Sequence, residues 1–159
     1  MEFVSEKVEK AQRMYFTGDI DVSNWEPIKN ILEGLLSEEI DSSDSLIRFM
    51  EKTSEFNNIL SEKMAWLYIN MTRFSDKPEY QEAFNSFYSE VISKVQKYDF
   101  EIMKKFYDST YRKELDEVKY AHLNKIISNS IELFREENIP LGVKEQELST
   151  EYGSIMSKM

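Results

Sequence analysis

Between Ser42 and Arg73 the chain has neither glycine nor proline, while Leu46, Met50, Phe56, Leu60, Met64, Leu67 and Met71 recur mostly at steps of three or four. That spacing gathers the apolar side chains on one face of an α-helix and does not fit the alternation of a half-buried strand. The run DSSDS, from Asp41 to Ser45, offers several side chains able to accept from the first free amides of a helix. One continuous helix of about 30 residues, roughly 45 Å long, is therefore expected through the middle of the chain, and the rest of the fold has to pack along it. Four glycines and three prolines in 159 residues leave few places for sharp turns elsewhere. The expected fold is all-α, with several long antiparallel helices forming a bundle.

Other segments carry the same signals. In SNWEP, Ser23 and Glu26 have the spacing of a capping box, and Pro27 falls in the first turn, where its missing amide costs little. Trp25, Ile28, Ile31 or Leu32, and Leu35 then make a buried stripe. SDKPEY repeats the signal, with Ser75 or Asp76 as cap and Pro78 near the first turn, leading to Tyr80, Phe84, Phe87, Val91, Val95 and Tyr98. Asp99 is expected to begin a further, shorter helix. From about Arg112, Leu115, Val118, His122, Ile126 and Leu133 share one side, widened by Ile127, Ile131 and Phe134, and Asn138 with Pro140 is expected to stop that helix. Trp66 and Phe134 are expected to anchor the core. The last stripe is Leu148, Tyr152, Ile155 and Met159, with Met156 beside it.

Residues 1–18 are expected to be a mobile leading segment, helical from about Ser5 to Tyr15, and 19–159 a single helical domain. There is no repeat of fixed period and no low-complexity tract.

A formal charge of −10 repels phosphate backbones and anionic lipid, so neither nucleic acid nor a membrane surface is expected as partner. Lys94, Lys97, Lys104 and Lys105, diluted by Asp99 and Glu101, read as a solvated face. With no cysteine there is no disulfide, thiolate metal site or cysteine nucleophile, which suits a reducing cytoplasm. The first residues alternate charged and apolar side chains, unlike a signal peptide, and no apolar run approaches the roughly 20 residues of a membrane span. The triplet Asn70-Met71-Thr72 is then an accidental glycosylation motif.

Catalytic constellations are missing. A helical zinc-peptidase motif needs two histidines one turn apart, and the chain has His122 alone, which reads as a core or boundary residue. Asp19, Asp21 and Ser23 begin like a calcium loop, but Asn24 and Asn30 stand where Gly and Glu belong. The acid pairs Glu38-Glu39 and Glu136-Glu137 read as solvated helix faces, and the four glycines form no phosphate-binding loop. No catalytic, metal-ligating or cofactor-binding residue is assigned.

Three stretches together carry a resemblance: SNWEPIKNILEGLL, then AWLYINMTRFSDKPEYQEAFNSF, then NSIELFREENIPLGVKEQELSTEYGSIMSKM. From about Asp19 to Met159 the chain resembles the amino-terminal region of oligoendopeptidase F-type zinc peptidases, of the thimet-oligopeptidase superfamily. The resemblance implies a helical wall of a deep channel that admits short unstructured peptides and excludes folded proteins. It also implies a zinc-bearing catalytic domain further along, on a His-Glu-x-x-His helix that no residue of this sequence matches. The chain is accordingly expected to be the substrate-enclosing domain of such an enzyme, cut short at its C-terminal end and not catalytic by itself. Its natural partners would be the catalytic domain and, through it, peptides. Leu148, Tyr152, Ile155, Met156 and Met159 are the candidate interface with the missing part, and self-association through the same apolar patch is the expected consequence of leaving it open. The competing expectation is a stand-alone acidic helical module that binds a partner protein and has no enzyme activity.

Overall fold

A helix of 31 residues is the axis on which the rest is assembled, in a computed structural model that describes residues 12–18 and 20–156. In order the helices are α1 (Trp25–Ser37), α2 (Ser43–Arg73), α3 (Pro78–Phe87), α4 (Ser93–Asp108), α5 (Glu117–Leu133) and α6 (Asn138–Met156). A π-helical turn, Tyr88–Ile92, joins α3 to α4 without a break, and a 3-10 turn, Thr110–Glu114, precedes α5. The described residues contain no strand, so the all-α bundle and the long central helix are as the sequence predicts.

The start of α2 follows from two serines. Ser42 Oγ accepts from the Ser45 amide at 3.1 Å and Ser45 Oγ accepts from the Ser42 amide at 3.0 Å, a reciprocal cap that satisfies two otherwise free donors. α1 and α3 begin differently from expectation. Asn24, not Ser23, holds the cap position of α1 and makes no side-chain cap bond; Asp21 instead accepts from the Ser23 amide and the Asn24 side chain. Lys77, not Ser75 or Asp76, holds the cap position of α3 and makes no side-chain cap bond, while Pro78 stands at the start of the helix as expected.

Ile28, Leu32 and Leu35 from α1, Leu46, Phe49, Phe56, Ile59 and Leu60 from α2, Phe87 and Val91, and Val95, Ile102 and Phe106 from α4 form one continuous core. The α1 end is closed by Lys105, whose ammonium donates to the carbonyls of Leu35 (3.3 Å), Leu36 (2.7 Å) and Glu38. These carbonyls lie at a helix C-terminus, that of Leu35 also accepting from the Glu38 amide, and a cation there is favoured by the helix dipole. Lys105 is thus not on the solvated lysine face expected of it. Burial pushes its pKa down, partly offset by Glu38. Lys94 and Lys97 remain exposed, Lys94 over the Trp25 ring and Lys97 paired with Glu136.

Residues 12–15, the described part of the expected leading helix, are not helical. They lie on α2 through Glu55, whose carboxylate accepts from the amides of Met14 (2.8 Å), Tyr15 (3.1 Å) and Phe16 (2.7 Å). Burial would raise this carboxyl, but the three backbone donors outweigh it and the pKa ends lowered.

Four expectations change in the second half. Asp99 does not begin a helix: it lies inside α4, one turn from Val95 and from Ile102 on the inward side. Asn138 and Pro140 do not end α5, which stops at Leu133; they occupy the first turn of α6, where a proline loses no helical bond. The Arg135 guanidinium donates to the carbonyls of Glu132 (2.8 Å) and Phe134 (2.7 Å), giving the α5 end its own closure. Of the broad stripe expected for α5, the widening part faces inward and the rest does not. Leu123, Ile127, Ile131 and Phe134, themselves at helical spacing, meet α4, with Phe134 stacked on Phe100 at 4.3 Å, while Val118 is 89 % exposed and His122 and Ile126 lie outside. His122 is therefore neither core nor boundary. Finally, Trp66 is 57 % exposed and anchors nothing, and Phe134 is half-buried by its one stacking partner.

Candidate functional site

α6 is mounted with its apolar side outward. Beside the partly buried Ile139 and Val143 its inward side is polar: the Thr150 hydroxyl, in a buried side chain, lies 3.1 Å from Asn85 Oδ1 on α3 and donates to the Gln146 carbonyl at 2.8 Å, while Gln146 Nε2 donates back to it at 3.2 Å. The opposite face carries Leu141, Leu148, Tyr152, Ile155 and Met156, all exposed, Tyr152 at 64 %. Four of the five candidate interface residues, Leu148, Tyr152, Ile155 and Met156, thus share one open surface, and Met159 lies outside the described residues. Leu133, 74 % exposed, Val118 and Ile126 on α5, and Trp66 and Ile69 on α2, extend the exposed apolar area beyond the sequence-level candidates. Scattered apolar side chains are ordinary on a surface, but several at helical register on one helix are the pattern of an unpaired helix face.

Between α2 and α6, floored by α4 and the π turn, lies a cavity of about 730 Å³. Leu60, Met64, Phe84, Ile92 and Val95 give it apolar walls, and Asn57, Gln96, Gln146 and Asp99 place polar groups among them. The π turn contributes Ile92 to this wall while sending the neighbouring Val91 into the core; such wide turns are frequent where a helix is bent to serve a site. A smaller cavity of about 240 Å³ adjoins along α6, sharing Tyr68, Gln146 and Ser149.

Asp99 is the unusual member. Asn57 hydrogen-bonds to its carboxyl, yet Oδ1 is buried without a partner. Burial pushes its pKa up to about 6, the Asn57 bond only partly opposing this. No cation lines the cavity, and Tyr68 is the one further titratable group there. Sequence reading missed this site because an aspartate after an apolar stripe looks like a helix cap. The available signal was its spacing, four residues after Val95 and three before Ile102, which puts it on the buried side.

Zinc does not fit the described residues: no three His, Cys, Asp or Glu side chains converge so as to hold a metal ion, and His122 is exposed. No helix among the described residues is long and apolar enough to cross a membrane.

The family described as the peptidase M3 N-terminal domain matches residues 20–134. The match takes in α1 to α5 and ends at Phe134, short of α6. No curated protein and no solved structure gives a significant match.

Proposed function

The chain belongs to the peptidase M3 N-terminal domain family, and from that premise we propose that it is the substrate-enclosing helical wall of an oligoendopeptidase F-like enzyme. In this reading it is an N-terminal piece of a metallo-oligopeptidase that hydrolyses short peptides. It does no chemistry of its own: one histidine cannot make a two-imidazole zinc site, and the zinc and the His-Glu-x-x-His helix belong to the catalytic part. The observation that carries the proposal beyond family membership is the open apolar face of α6, with Leu148, Tyr152, Ile155 and Met156 outward. A face of this kind fits burial against a further part of the same enzyme. The absence of cysteine suits a cytoplasmic setting.

Two measurements test this. Reading the gene past the codon for Met159 should reveal a frame that continues to a His-Glu-x-x-His helix, whereas an immediate stop would favour the second reading, a stand-alone acidic interaction module using the same exposed faces. The isolated chain should give no chelator-sensitive turnover of a quenched fluorescent peptide. Turnover that survives removal of host peptidases would overturn the non-catalytic role.

A further inference from the structure

The cavity between α2 and α6 combines three features that a purely structural gap does not need. Its lining includes the apolar side chains of Leu60, Met64, Phe84, Ile92 and Val95, against which an aliphatic stem can pack. Its volume, about 730 Å³, lies within the range of small-ligand sites. Also in its lining is a carboxyl group with one oxygen lacking any partner. A buried polar atom left unpaired costs free energy, more so when the group is charged, so its retention calls for a compensating donor.

We propose that this cavity binds a primary alkylammonium group on an apolar stem, the chemistry of a lysine side chain, with the Asp99 carboxylate as counter-ion. The charge complementarity is specific to this place: the lining holds no lysine, arginine or histidine that could neutralise Asp99 from within. An ammonium is favoured over a guanidinium because Asn57 already occupies part of the carboxyl, leaving a single acceptor, and a planar guanidinium fork is best matched by both oxygens. Oδ1 itself is closed off from solvent, so a cation in the cavity meets the carboxyl through rotation about its terminal torsion, which is broad for an aspartate. The Gln146 and Ser149 side chains of α6 and Ser61 of α2 add further polar groups to the lining. The raised pKa supports the assignment, since a carboxyl that lacks a cation in an apolar site keeps its proton to higher pH than usual, and a bound cation would lower its pKa again. The inference goes beyond the peptidase reading and stands whether or not a catalytic domain follows.

The test is amide chemical-shift titration of the 159-residue chain by NMR with n-butylammonium, with n-butanol as the neutral analogue, and with a blocked Ala-Lys-Ala peptide. Saturable shifts centred on Asn57, Asp99 and Gln146 are expected, at least about tenfold weaker for n-butanol and for Asp99→Asn, the loss of one charge-assisted hydrogen bond. Affinity should be about tenfold higher at pH 7.5 than at pH 5, where a carboxyl with pKa about 6 is only about one-tenth ionised. Ser149→Trp, at an exposed position on the rim, should block the shifts with an unchanged denaturation midpoint. Response to the peptide identifies a polypeptide lysine as the source, and response to the free amine alone identifies a small amine. Equal binding of n-butanol, equal binding by Asp99→Asn, or shifts scattered over the acidic surface would overturn the proposal.

Discussion

α2 has two ends in opposite surroundings. From Leu46 to Leu60 its apolar residues disappear into the core, with Leu46, Phe49 and Phe56 fully enclosed by α1, α4 and the residues around Phe16. From Met64 onward the stripe of the same helix, Met64, Leu67 and Met71, is only partly buried, Trp66, Tyr68 and Ile69 off that stripe are exposed, and the helix borders a cavity. The difference lies in what packs alongside: α1 and α4 lay apolar stripes against the first half, whereas the second half meets the short α3, with Tyr68 against Phe84 at 5.8 Å, and a cavity whose α6 side offers glutamine, serine and threonine. A helix stripe is buried only where a neighbour offers a matching one, and a cavity with a lone carboxyl is what remains where it does not.

The comparison is sharpest in stability. Phe56→Ala should cost about 3 to 5 kcal/mol, the usual loss for a fully enclosed phenylalanine, measured as a fall in denaturant midpoint at unchanged slope. A cost below about 1 kcal/mol would mean that the closed end is not closed.

Asp99→Asn should act in the other direction. Its folded-state pKa, about 6, is above the ordinary 3.8. The folded protein therefore binds this proton more tightly than the unfolded chain does. The associated stability is complete below about pH 3.8 and is lost as pH rises through about 6. Asparagine removes that loss, so the variant should gain about 2 to 3 kcal/mol over the parent at pH 7.5 and little or nothing at pH 4. A variant less stable than the parent at pH 7.5 would show that the carboxylate already has a partner.

Glu55, on the closed side, has the opposite sign. Its folded-state pKa is lowered, so its contribution is present above the ordinary glutamate value and is lost as pH falls through the folded one. Glu55→Gln should cost about 1 kcal/mol at neutral pH, reduced by solvent exposure from what three charge-assisted bonds would otherwise supply. Hydrogen exchange at the Met14, Tyr15 and Phe16 amides should speed up. Unchanged exchange there would detach this strap from α2.

The smallest effects belong to the open faces. Trp66→Ala and the pair Tyr152→Glu with Ile155→Glu should each leave the denaturant midpoint within about 0.5 kcal/mol of the parent. If the exposed face of α6 drives self-association of the isolated chain, sedimentation should show it, and the glutamate pair should abolish it. Unfolding caused by that pair would place those side chains inside instead.

Much of the fold was legible because its signals are local. The 31-residue α2 follows from an uninterrupted period and a serine cap, and α1 and α3–α4 presented one dominant stripe each, which is the one buried: Ile28, Leu32 and Leu35; Phe84, Phe87, Val91 and Val95. α5 was ambiguous. Val118, Ile126 and Leu133 on one side and Leu123, Ile127 and Ile131 on the other are both helical stripes, and only the position of α4 chooses between them. Asn138-Ile139-Pro140 was ambiguous as well, since asparagine and proline serve equally as a helix end and a helix start. The cavity was the least legible feature, because its walls come from residues far apart in sequence, from Asn57 to Ser149.

The amino-acid sequence by itself determined that this chain is helical, where its longest helix runs, that it has a single histidine and no cysteine, and which peptidase family its pattern resembles. Those properties depend on spacing, capping and composition, which act within a few turns of helix. Tertiary structure alone decided that Trp66 and His122 face outward, that Lys105 closes the end of α1, that α6 turns Tyr152 and Ile155 away from the core, and that Asp99 lines a cavity with one carboxyl oxygen unpaired. Each of these depends on which face of one helix meets which face of another. That is a matter of burying the largest apolar area available, and it is settled only when all the helices compete for the same core.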